Sequence, residues 1–261
     1  AEPFSEGLAK VEKDGNWGYI DKNGKVVIEL QYDYVGDFSE GLARVKKEDK
    51  FSFIDKSGKV VFELSKYDYV NVGDFSEGLA QVRKDYKSGF IDKSGKVVIE
   101  PQFDTVFDFS EGLAGVEKGG KWGFIDKSGK VVIEPQFDHA RDFSEGFAQV
   151  KKDGKYGFID KSGKVVIEPQ FDGASDFSEG LAQVEKDGKW GFIDKSGKMV
   201  IEPQFDDAEP FSEGLWKVEK DGKYGFIDKS GKVVVEPQFD WADAFSEGLV
   251  GVEKDGKWGY L

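Results

Sequence analysis

The sequence repeats itself, and no other feature constrains its fold as much. The tetrapeptide Phe-Ser-Glu-Gly begins at Phe4, Phe38, Phe75, Phe109, Phe143, Phe177, Phe211 and Phe245, at spacings of 34 residues interrupted once by 37. Each unit is too short to bury its own apolar face, so it must form a small supersecondary motif that stacks on copies of itself. Seven full units and part of an eighth fill residues 1–261, which read as a single repeat domain without a linker.

Turn signals divide each unit into runs too short for helices. In the unit that begins at Phe177, strand A is expected over Leu181 to Lys186. Asp187-Gly188 supplies the two positive φ angles of a tight hairpin, and strand B returns over Lys189 to Asp194. Lys195-Ser196-Gly197 makes a three-residue turn with Gly197 left-handed, and strand C runs from Lys198 to about Glu202. Pro203 ends its pairing or places it at an edge.

Alternation puts Trp190 and Phe192 on one face of strand B and Gly191 and Ile193 on the other. The aromatic of one unit is expected to fill the space above the glycine of the next. Three strands leave the chain at the wrong end of its sheet, so residues 205–211 must bring it back as a fourth strand or an irregular crossover. The fold class is all-β: tandem 34-residue antiparallel β-meander repeats. They stack as a propeller-like ring or as an open superhelical β-solenoid.

The recurrent pattern K-W/Y-G-F-I-D-K-S-G-K-V-V-I-E-P-Q-F-D resembles the WG-repeat (KWG) family of bacterial repeat proteins over essentially the whole chain. It stands at Trp17-Gly18, Trp122-Gly123, Tyr156-Gly157, Trp190-Gly191, Tyr224-Gly225 and Trp258-Gly259, and departs at Phe51-Ser52 and Ser88-Gly89. The resemblance implies an all-β repeat scaffold and brings no catalytic residues with it.

Composition narrows the chemistry. With no Cys and one His, thiol nucleophiles, thiolate metal sites and disulfides are excluded, as is any site needing two imidazoles. With 37 basic and 51 acidic side chains the net charge is −14, which argues against nucleic acid and anionic membranes as partners. No run approaches the roughly 20 apolar residues of a membrane span. The carboxylates Asp172, Asp176 and Glu179 match no Ca²⁺ loop, and the Lys-Ser-Gly-Lys turns lack a phosphate loop's glycine spacing. His139 beside Asp138 and Arg141 has no Ser or Cys partner placed by sequence. A glycosidase needs one distinguished pair of acids, whereas the acids here recur in copies. The expectation is no enzyme, no cofactor and no metal. The chain opens Ala1-Glu2-Pro3 without Met, which reads as a processed or trimmed form of an exported bacterial protein, secreted or at the cell surface.

Comparing the units with one another locates the variation. Most columns barely change; the exceptions are two positions after Phe-Asp, separated by one small residue. They are Tyr34 and Gly36, Thr105 and Phe107, His139 and Arg141, Gly173 and Ser175, Asp207 and Glu209, and Trp241 and Asp243. In an extended segment both members of a pair project from one side, so the units present a row of varied side chains. Further departures are Tyr69 in the longer unit, Tyr86 in place of a turn glycine, and Trp216 in place of the strand A alanine. A tyrosine at positive φ is strained, so the turn at Tyr86 is expected to change type. The exposed aromatics could stack on sugar rings.

The candidate binding residues are therefore Tyr34, Tyr69, Tyr86, Phe107, His139, Arg141, Trp216 and Trp241. The expected function is a non-enzymatic scaffold that binds a protein or glycan through its return segments. The alternative is a structural subunit that self-associates end to end through an exposed terminal edge, into filaments or a surface layer.

Overall fold

The computed structural model describes residues 2–64, 73–209, 214–243 and 248–261. Every element among them is a β-strand, and the strands form eight small antiparallel sheets, one per repeat. The chain divides into two compact units, Ala1–Gln136 and Phe137–Leu261, built on the same plan.

The sheet of the repeat at Phe177 shows that plan. Leu181–Lys186 pairs residue for residue with Lys189–Asp194 through Asp187 and Gly188, whose φ angles of 54° and 74° make the expected hairpin turn. Asp194–Lys198 closes the next turn with Gly197 at φ 82°, as the sequence requires. Asp194 Oδ1 accepts hydrogen bonds from the Ser196 and Lys198 N–H groups and the Ser196 hydroxyl. Together these bonds hold its carboxyl below the ordinary range, the serine hydroxyl contributing most.

The third long strand differs from expectation. It spans Met199–Phe205, continuing through Pro203 as the outer strand of the sheet, where a residue without N–H is tolerated. Its register slips opposite Gly191: Phe192 pairs Ile201 while Trp190 pairs Phe205, so Glu202, Pro203 and Gln204 bulge over a single residue. A β-carbon on Gly191 would stand 2.5 Å from Ile201 O and 2.7 Å from Pro203 N. The glycine of Trp-Gly is thus required by a backbone within its own sheet, and the expectation that it makes room for a neighbouring unit's aromatic is corrected.

Two repeats act as internal controls. In the first, Leu30 replaces the bulge proline, yet Gly18 and the bulge remain, with Ile28 O 2.5 Å from where a β-carbon would stand. In the second, Ser52 replaces the glycine, no slip occurs between Ser52 and Phe53, and the outer strand shortens to Val60–Glu63. Glycine, more than proline, permits the bulge.

The return segment forms a fourth strand of two residues on the following repeat's sheet. Gly173–Ala174 pairs Glu185 and Val184 at the edge opposite the bulged strand. The same short strand appears at Tyr34–Val35, Thr105–Val106, Asp207–Ala208 and Trp241–Ala242, and lengthens to His139–Ser144 around a bulge.

All four residues of Phe-Ser-Glu-Gly are used in folding. Phe38, Phe109 and Phe177 are buried and meet the strand B aromatic of the preceding repeat, Tyr19, Phe90 and Phe158, at 4.8 Å, whereas Phe4, in the first repeat, is 48% exposed. The serine hydroxyl donates to the next phenylalanine's carbonyl, as from Ser39 to Phe75 and from Ser144 to Phe177. Glutamate and glycine are the central pair of a two-residue turn, Glu40 at φ 50° and Gly41 at 85°. Glu40 Oε2 then accepts the Gly78 N–H at 2.9 Å and lies 3.1 Å from Lys93 Nζ, both in the following repeat. Glu6, Glu77 and Glu145 make the same reach to Gly41, Gly112 and Gly180. The sequence marked this motif only as a period; in the fold it links one sheet to the next.

Candidate binding site

The variable columns share one face of each sheet. The second member of each return pair stands beside the third residue of strand A, eight positions later. The ladder bonds run from Glu2 to Lys10, Gly36 to Arg44, Phe107 to Gly115, Ser175 to Gln183, Glu209 to Lys217 and Asp243 to Gly251. Sequence comparison singles out the first column of that list from Gly36 onward, without Glu2, and misses the second. The signal was available as paired change at constant spacing: glycine faces arginine at 36 and 44, phenylalanine faces glycine at 107 and 115, and glutamate faces lysine at 209 and 217, where the ion pair is 2.7 Å.

Each candidate residue has a definite place. Tyr34 is 43% exposed, with the Arg44 guanidinium 5.4 Å from its ring centre. Phe107 stacks on Trp122 at 4.3 Å and covers it. Trp241, 46% exposed, lies edge-on to Tyr224 at 5.7 Å, and its indole N–H donates to Asp243 Oδ1, so this pair does project together. Tyr69 lies outside the described residues.

Two candidates need correction. Trp216 is 2% exposed and packs edge-to-face on Phe192, so it belongs to the core and cannot stack on a ligand. Tyr86 keeps the ordinary hairpin register, Lys84 opposite Lys87, and simply adopts φ 63°. The turn does not change type because strand pairing on both sides fixes it, leaving the strain in the Tyr86 backbone while its ring is 85% exposed.

His139 and Arg141 converge with other side chains. They border a cleft of about 380 Å³ between two successive sheets of the second unit, with Gln149 and Tyr156 from their own sheet and Glu185 and Trp190 from the next. The cleft exists because the next return pair, Gly173 and Ser175, is small: a β-carbon on Gly173 would stand 2.6 Å from Glu185 Oε2 and 3.1 Å from Trp190 Cη2. Partial burial, then the Arg141 and Lys151 charges, lowers the His139 pKa. Arg141 lies 3.8 Å from Asp176, whose carboxyl is raised by burial. Asp172 is already used: it pairs with Lys155 and accepts the Asp187 N–H. Among the described residues no three His, Asp or Glu side chains are grouped as a metal site.

The repeat pattern of the family described as WG containing repeat matches residues 1–17, 17–51, 51–87, 89–122, 122–156, 156–190, 190–224 and 224–258. The chain belongs to the WG-repeat family. Among solved structures, this WG-repeat chain is similar to a eukaryotic initiation factor, with TM-score 0.55 and 11% identity over 98% of this chain and 85% of that one. It is also similar to BamB from Moraxella catarrhalis, with TM-score 0.47 and 10% identity over 99% and 94% of the two chains. Apo AztD from Citrobacter koseri gives TM-score 0.43 and 16% identity over 90% and 80%. At such identities the likeness concerns fold alone, an all-β array of propeller-like sheets. No curated protein matches the WG-repeat chain in sequence.

Proposed function

We propose that this WG-repeat chain is a non-catalytic scaffold that binds a protein or glycan partner through the variable face of its sheets. The observation that carries the reading is a division of labour. The recurrent residues are consumed by the fold: phenylalanine, serine, glutamate and glycine link neighbouring sheets, and the Trp-Gly glycine admits the bulge. The varied residues gather on the return strands and the strand positions beside them, where Tyr34, His139, Arg141 and Trp241 are exposed. A surface relieved of folding duty can diversify from repeat to repeat, which is how stacked repeats acquire extended binding faces.

The test is binding of the chain to arrays of immobilised glycans and peptides, alongside a variant carrying Tyr34→Ser, His139→Ser, Arg141→Ser and Trp241→Ser. The expected result is a signal that the variant loses while its circular dichroism is unchanged. A signal equally strong in the variant contradicts the proposal.

A further inference from the structure

We infer that the cleft between the sheets led by His139–Ser144 and Gly173–Ala174 binds one pyranose ring of a glycan. The inference rests on the scaffold reading and narrows it to one site and one class of ligand.

Gln149 is the first reason. Its side chain is 3% exposed and borders the cleft; its Nε2 donates to Ala174 O at 2.6 Å, which fixes the amide with Oε1 as the remaining acceptor. That oxygen is buried and has no hydrogen-bond partner, and neither has Asp176 Oδ1 beside Arg141. Gln81, at the same position in the third repeat, instead turns its amide to Asp108 at 2.8 Å. A buried acceptor left open by the chain takes a donor from an ordered water or from a ligand hydroxyl that displaces it.

The aromatic platform is the second. In two other repeats a neighbouring ring occupies the strand B aromatic: Phe107 stacks on Trp122, and Trp241 abuts Tyr224. Ser175 stands where Phe107 covers Trp122, and Asp207 stands where Trp241 abuts Tyr224, so neither supplies a ring, and among the described residues no ring stacks on Trp190. A flat apolar face rimmed by polar groups suits the C–H face of a sugar.

The mixture of charges decides between ligand classes. Arg141 offers donors; Glu185 and Gln149 offer acceptors. A hydroxyl both donates and accepts, so a polyol can satisfy both sets. A basic side chain of a protein partner would meet Arg141, and Lys151 already lies 4.8 Å from the Tyr156 ring centre. An acidic one would meet Glu185 on a chain of net charge −14. The volume of about 380 Å³ lies at the small end of ligand pockets, roughly 300–1,000 Å³.

Saturation-transfer NMR on the full chain tests this, with the methyl glycosides of glucose, galactose, mannose and N-acetylglucosamine and their tetrasaccharides as probes. Gly173→Tyr fills the cleft with the residue that stands at Tyr34, and Gln149→Leu removes the open acceptor; if one variant misfolds, the other decides. The expected result is transfer to at least one saccharide, weakened tenfold or more by either folded variant and unchanged by Tyr34→Ser with Trp241→Ser. No transfer to any probe, or binding undiminished in a folded cleft variant, overturns the inference. If no saccharide binds but the four-residue variant loses a peptide signal on the arrays, the inference fails and the scaffold reading stands.

Discussion

The ring of Phe107 occupies the space that a side chain on Gly115 would need: its Cδ2 atom is 2.8 Å from where a β-carbon on Gly115 would stand. The two residues are ladder neighbours, so the size of one limits the other. Gly115→Ala alone should cost about 1–3 kcal/mol, as overpacking does. Combined with Phe107→Gly, the added methyl group should cost less than about 0.5 kcal/mol more than Phe107→Gly by itself. A double-mutant cycle in urea measures the coupling, and additive effects would show that the pair is not joined by packing.

The bulge account separates two glycines with the same sequence context. Gly191→Ala puts a methyl group against the backbone of Ile201 and Pro203, whereas a β-carbon on Gly259 meets nothing within 4 Å. Thermal unfolding should show a loss of about 2 kcal/mol or more for the first. The second should change by no more than about 0.5 kcal/mol. Equal effects would mean that Trp-Gly glycines are needed for something other than the bulge.

Two tryptophans are predicted to behave in opposite ways. Trp216→Ala removes a buried side chain packed on Phe192 and should cost about 3–5 kcal/mol. Trp241→Ser removes an exposed one, with an expected change of at most about 1 kcal/mol, including its edge contact with Tyr224. Chemical denaturation of the two variants compares them directly, and similar losses would contradict the assignment of Trp216 to the core.

The inter-sheet glutamates set an acid limit. At Glu6 the Lys56 bond is the largest influence; at Glu40, Glu77 and Glu145 burial works upward but is outweighed by the partner lysine and the next glycine's N–H. All four carboxyls are therefore lowered when folded. Their contribution is full above the unfolded value of about 4.3 and fades as pH falls through their folded values. Asp74 and Asp176, raised by burial, act in the opposite sense. Glu77→Gln should lower the melting temperature at pH 7 and flatten its decline between about pH 5 and pH 3. A parallel decline in wild type and variant would show that the Gly112 and Lys127 contacts do not stabilise the fold.

Much of this architecture is legible in one repeat. Asp187-Gly188 and Gly197 announce their turns because only certain residues adopt positive φ readily, and the first two strands follow residue for residue. What strand periodicity does not reveal is a slip in register: the bulge at Glu202–Gln204 depends on a neighbouring backbone, so alternation alone assigns Gly191 the wrong neighbour. Contacts between repeats are hidden for a similar reason. Glu40 reads as a solvated surface acid until Gly78 and Lys93, more than 30 residues away, are brought beside it. Variation is visible as a column, but whether it is exposed is not, so sequence alone does not separate the buried Trp216 from the exposed Trp241.

The six tryptophans allow the central claim, that binding belongs to the variable face and to its open cleft in particular, to be tested in one spectrum. The measurement is a saccharide titration of the ¹⁵N-labelled chain followed through its indole N–H signals, assigned by single substitution. The account predicts that the Trp190 signal moves with saturating behaviour while those of Trp122, covered by Phe107, and Trp216, in the core, stay fixed. Saturable shifts at Trp17 or Trp258 with Trp190 unmoved would contradict it.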